Sequence, residues 1–142
     1  MIKELDVMLS LATRSSWHVQ FAPLPPHRGV DVVHTNLRLG LSALDDLRDE
    51  GGAVGPVLCC PEHQAVLIPV EEGTADRWHA PHSQCLRAGW QCRPGYGTNT
   101  VRRCAGGVWL LPDTCSGTLL PASSQDLHHR LCVTRARWAS AA

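Results

Sequence analysis

The sequence predicts a small α+β domain, with a central antiparallel sheet, helices before it and one helix after it. Three observations carry this. Two short β-prone apolar runs, 57–60 and 65–70, flank the tetrapeptide Pro-Glu-His-Gln. Leu-rich stretches with three- and four-residue spacing precede them at 3–13 and 36–48, and another follows at 123–139. Glycine and proline clusters separate the remaining apolar runs, as turns between strands do.

Along residues 3–13, Leu5, Met8, Leu9 and Ala12 share one helical face, and Ser15 and Ser16 end it. Trp17, Val19 and Phe21 then alternate with polar neighbours, the pattern of a half-buried strand. Pro23, Pro25 and Pro26 close that segment, because proline has no amide donor. The second helix spans 36–48, with Leu37, Leu39, Leu41, Leu44 and Leu47 as its apolar stripe. Asn36 or Thr35 caps it, and Gly51 and Gly52 stop it. Its acids, Asp45, Asp46, Asp49 and Glu50, are expected on the solvated face opposite the leucines.

A β-hairpin comes next, with Pro61 placed for the second position of a type I turn. Pro69 marks its second strand as an edge, or ends it there. Thr74 is expected to cap a short helical turn over TADRW. Two further strands are expected near 86–92 and 108–111, with Gly95, Gly97, Gly106 and Gly107 at the turns. Ser123 or Ser124 caps the last helix, where Leu127, Leu131, Thr134 and Trp138 repeat on one face. The chain of 142 residues is one domain: a helical and extended part over 1–52, a β-rich part over 53–120 and the helix 123–139.

Net charge is zero but uneven. Residues 1–85 carry eleven acids and six bases; residues 86–142 carry seven arginines against Asp113 and Asp126. A basic half suits nucleic acid or an acidic partner. Arg102, Arg103, Arg135 and Arg137 are the candidate nucleic-acid contacts. The same arginines also suit the acidic half of their own chain, and that is the expectation here. No segment reaches the roughly 18 apolar residues of a membrane span, and the N-terminus lacks a signal-peptide run. The expected location is the cytoplasm, where the seven cysteines stay reduced.

The densest run of chemistry-bearing residues is 79–115. His79, His82, Cys85 and Cys92 are the candidate zinc ligands, since zinc takes four nitrogen and sulfur donors at about 2.0–2.3 Å. Against them, no C-x-x-C pair occurs and Pro81 interrupts a helix. Zinc is the one cofactor considered, and none is required. Cys59, Cys60 and His63 form a second cluster. On a strand the two thiols point to opposite faces, so at most one meets His63. His128 and His129 diverge by about 100° on a helix and cannot share a metal easily. There is no G-x-G-x-x-G and no G-x-x-x-x-G-K. No residue is assigned a catalytic role.

From Gly55 onward, GPVL, the hairpin turn, VLIPVEEGT, a Trp, a Cys, VWLLPD, SGTLLPA and the closing helix come in order. Over 55–131 this resembles short uncharacterised actinobacterial proteins, some labelled bifunctional DNA primase/polymerase-like. The resemblance implies paired acids for two metals, commonly Asp-x-Asp on a strand with a histidine nearby. This chain has no Asp-x-Asp; Asp31 with His34, and His82 with Ser83, come nearest. It would then be a degenerate, non-polymerising relative. The expected function is a non-enzymatic domain acting by binding, regulatory or accessory to a protein partner. A nucleic-acid-associated protein and a zinc module are the alternatives.

Overall fold

The computed structural model describes residues 17–20, 29–61, 63–87, 108–112 and 121–141. Among them six strands form one sheet: β1 (Trp17–Gln20), β2 (Val30–Asn36), β3 (Val57–Cys60), β4 (Ala65–Glu71), β5 (Ser83–Arg87) and β6 (Val108–Pro112). The strand order is β1-β6-β3-β4-β2-β5, and every neighbouring pair is antiparallel. Two helices, α1 (Leu37–Asp49) and α2 (Ser124–Ala141), pack on each other and on one face of the sheet. The fold is α+β. The helix expected over 3–13 lies outside the described residues.

Helix α1 begins where the sequence places it. The Asn36 side chain accepts from the Arg38 and Leu39 amides at 3.0 and 3.3 Å. That satisfies two of the four amides a helix start leaves unpaired. Gly51, at φ +80°, takes the left-handed turn that ends it, and the Gly52 amide reaches back to the Leu47 carbonyl at 2.9 Å. Leu37, Leu41, Leu44 and Ala43 enter the main core with Val33, Val66, Ile68, Val57 and Leu110 from the sheet and Leu127 and Leu131 from α2. Because α1 is covered by both sheet and α2, the acids are not all on a solvated face. Asp45 and Asp46 are buried, contrary to expectation, and Asp46 accepts from Thr134 Oγ1 at 3.4 Å and pairs with Arg137.

The hairpin forms where expected, with Leu58 opposite Leu67 and Cys60 opposite Ala65. The Gln64 amide bonds to the Pro61 carbonyl at 3.3 Å, so Pro61 is the first residue of the turn, not the second. The Pro69 expectation fails. β4 is a central strand and runs on to Glu71, paired with β2 along its whole length. Its pairing with β3 stops at Leu67, and beyond that point the Pro69 carbonyl accepts from the Ala122 amide at 2.9 Å. Amide and carbonyl of one strand residue point the same way, so the missing donor of Pro69 falls past the end of β3. The sheet loses no bond there.

The opposite face of the sheet is also buried. Val32, Cys60, Ala65 and Leu67 form one cluster there, Trp109 and Leu111 another. β6 lies where expected, and β5 starts earlier, at Ser83, than the expected 86–92. In α2, Leu127, Leu131 and Thr134 are buried as their spacing implies. Trp138 is 41% exposed, and the Arg38 guanidinium lies over its ring at 5.6 Å. Among the described residues no helix is long and apolar enough to cross a membrane.

Candidate functional site

The site is built where β4 ends and α2 begins. After Glu71 the chain turns through Gly73, at φ +95°, into a short 3-10 turn, Thr74–Asp76. Thr74 does not cap this turn by its side chain; its hydroxyl donates to the Glu71 carbonyl at 2.6 Å. The clamp comes from β2. The buried Asp31 carboxylate accepts the Gly73 and Ala75 amides at 3.1 and 2.8 Å. The acid nearest to a metal-binding remnant is thus engaged in holding a turn.

With the turn clamped, the segment from Trp78 to Ser83 is set against the sheet. The Trp78 indole N–H donates to Ser83 Oγ at 2.8 Å, and the Ser83 hydroxyl donates to the Ala80 carbonyl at 2.7 Å. The Trp78 ring meets His128 of α2 edge-on, with centroids 5.1 Å apart. At the helix start, the Glu71 carboxylate accepts from the Ser124 amide at 3.0 Å and from the Ser124 hydroxyl. The Ser123 carbonyl accepts the Leu127 amide at 2.9 Å, so Ser123 occupies the capping position. Its hydroxyl makes a long contact to the Asp126 amide.

Between these elements lies a cleft of about 590 Å³. Glu71, Arg77 and Trp78 line one side; Gln125, His128 and Cys132 line the other. Arg77 sits 3.5 Å from Glu71, and both side chains keep substantial exposure, 63% and 43%. Burial pushes the Glu71 carboxyl up, but the hydrogen bonds from Ser124 and the Arg77 charge outweigh it and hold the group below its ordinary range. Cys132 Sγ lies 3.8 Å from His128 Nδ1, one helical turn away. The cleft therefore offers a carboxylate, a guanidinium, imidazoles, an aromatic wall and a thiol.

The expected zinc set is dispersed among the described residues. His79 and His82 are exposed. Cys85 is half-buried against the core, its thiol pushed up to about 12 by burial and by the charges of Asp31 and Glu71. Their donor atoms form no group of three, and Cys92 lies outside the described residues. The described residues whose ligand atoms do cluster are Asp45, Asp46 and Asp49, within 4.8 Å of one another. Cys59 and Cys60 do face opposite sides, in separate core clusters, and Cys60 Sγ meets His63 Nδ1 at 3.2 Å. Burial first, then Cys60, pushes the Cys59 thiol far up.

Of the nucleic-acid candidates, Arg102 and Arg103 lie outside the described residues. Arg135 is exposed, and Arg137 pairs with Asp46. Arg130 pairs with Glu50, so two arginines of the basic half do meet acids of the acidic half. His129 is exposed, but His128 is half-buried in the cleft wall rather than solvated. In the sequence the adjacency of His128 and His129 masks the pairing of His128 with Cys132. The four-residue spacing that puts those two on one helical face is the signal that reveals it. No local signal ties Glu71 to Ser124, 53 residues on. No family model, curated protein or solved structure matches the chain.

Proposed function

We propose that this chain is a small non-enzymatic binding domain whose ligand is a short peptide or amino-acid-like molecule held in the cleft between Glu71 and α2. The observation that carries this reading is the pairing of opposite charges beside an aromatic wall. Glu71 and Arg77 stand 3.5 Å apart, both open to solvent, next to Trp78. A zwitterionic ligand presents an ammonium and a carboxylate, which such a pair can each receive. Gln125 and His129 add hydrogen-bonding groups at the rim. A few placed polar groups on a concave surface are the ordinary makings of a small-ligand site. The arginines of the basic half lend less support to nucleic acid, since Arg130 and Arg137 already hold Glu50 and Asp46.

The test is a titration of isotope-labelled protein with S-methylglutathione, a peptide with two carboxylates, one ammonium and no free thiol. Saturable shifts at the Trp78 indole, the Ser124 amide and the His129 amide support the reading. Shifts that are absent, or scattered without relation to the cleft, overturn it.

A further inference from the structure

We propose that Cys132 is the reactive thiol of the cleft, and that with His128 it forms a mixed disulfide with a small peptide-like thiol. The inference rests on the binding reading above and adds a covalent step to it.

Four cysteines are described, and their settings differ. Cys59 and Cys60 are buried, 0% and 1% exposed, in the two core layers. Cys85 is half-buried on β5, with Asp31 and Glu71 near enough to oppose a thiolate. Cys132 alone of these four lines the cleft. It also has an imidazole nitrogen at 3.8 Å, within reach of a long hydrogen bond to sulfur. The thiolate is the nucleophile, and a neighbouring imidazole is what most often supplies it. Trp78, packed edge-on against His128, fixes the ring that would take the proton.

The step balances without a further reagent. His128 Nδ1 takes the proton from Cys132 Sγ. The sulfur attacks one sulfur of a small symmetrical disulfide. A new S–S bond forms, the old one breaks, and the departing thiolate recovers the proton from His128. Cys132 is oxidised to the mixed disulfide and half of the reagent is reduced to thiol. The charges of Arg77 and Glu71 lie in the same cleft, where the carboxylate and ammonium of a peptide thiol would rest.

The experiment treats the full chain with oxidised glutathione and follows each cysteine by peptide mass. The expected result is an adduct on Cys132 that forms at least tenfold faster than on Cys85, and faster than on Cys132 in urea. His128→Gln should slow the Cys132 reaction about tenfold or more while leaving the Cys85 rate unchanged. Equal rates at Cys132 in folded and unfolded chain overturn the proposal, as does a His128→Gln protein that reacts at the wild-type rate. S-methylglutathione separates the two readings. If it binds in the cleft and no adduct forms, the thiol proposal fails and the binding reading stands. If it does not bind, yet Cys132 reacts rapidly, the peptide-binding reading fails and the reactive dyad stands.

Discussion

Glu71, the last residue of the central strand β4, accepts hydrogen bonds from both the backbone amide and the hydroxyl of Ser124, the first residue of α2. One carboxylate thereby ends a strand and neutralises the positive end of a helix. Its pKa lies below the ordinary value, so its contribution to stability is present above the unfolded pKa. It is lost as pH falls through the folded one. Glu71→Gln should cost about 1 kcal/mol at neutral pH. The gap in melting temperature between wild type and variant should close as pH drops below about 4, the ordinary glutamate range. A gap that stays constant across that range would show that the charge is not what matters.

Asp31→Ala removes the acceptor for two amides at once. A buried or half-buried donor left unpaired costs about 1–3 kcal/mol, so a loss of about 2 kcal/mol is expected in denaturant unfolding. Amide exchange at Gly73 and Ala75 should speed up before that of the β2–β4 ladder. Unchanged exchange at those two amides would mean that the turn holds without its clamp.

Leu67 and Ile68 are neighbours on β4, and both are buried, at 1% and 0% exposure. The strand is covered on both faces, so it has no safe side for a charge. Leu67→Asp and Ile68→Asp should each destabilise by about 4 kcal/mol or more and yield little folded protein. A well-folded variant at either position, judged by near-ultraviolet circular dichroism, would contradict the two-sided burial.

Gly40 sits inside α1, where alanine would normally stabilise by about 1 kcal/mol. Here an added Cβ would overlap Val66 and come within 2.8 Å of Thr35 Cγ2. Both are β-branched residues in strands, with little freedom to move aside. Overpacking costs about 1–3 kcal/mol, so Gly40→Ala should lower stability overall. An increase in the denaturant midpoint would show that α1 rides higher on the sheet than these contacts require.

The fold is legible in the sequence where the signal is local. The turn between 60 and 65, the Asn36 cap and the burial of Leu127, Leu131 and Thr134 rest on neighbours within a few residues and read correctly, although Trp138 of the same stripe is exposed. Two local details fail, the place of Pro61 in its turn and the Thr74 cap, but the larger failures are tertiary. Pro69 suggests an edge strand because sequence cannot show that β3 stops pairing before it. Asp46 looks like a solvated acid because nothing near it announces Arg137, 91 residues later. The cleft suffers most, since Asp31, the Glu71–Trp78 stretch and His128 come from three distant places in the chain. Only its α2 wall, with Gln125, His128 and Cys132, is written in a single helix.

The joint between Glu71 and Ser124 has an implication for partly folded forms. The two walls of the cleft belong to segments that meet only once the closing helix has docked on the sheet. A fragment lacking α2, or an intermediate in which the helix is formed but detached, would have no cleft at all. Occupancy of the site would therefore be all-or-none with the tertiary structure, and a bound ligand would act as a staple across the chain. It would raise the barrier to unfolding most for the helix that is last in sequence.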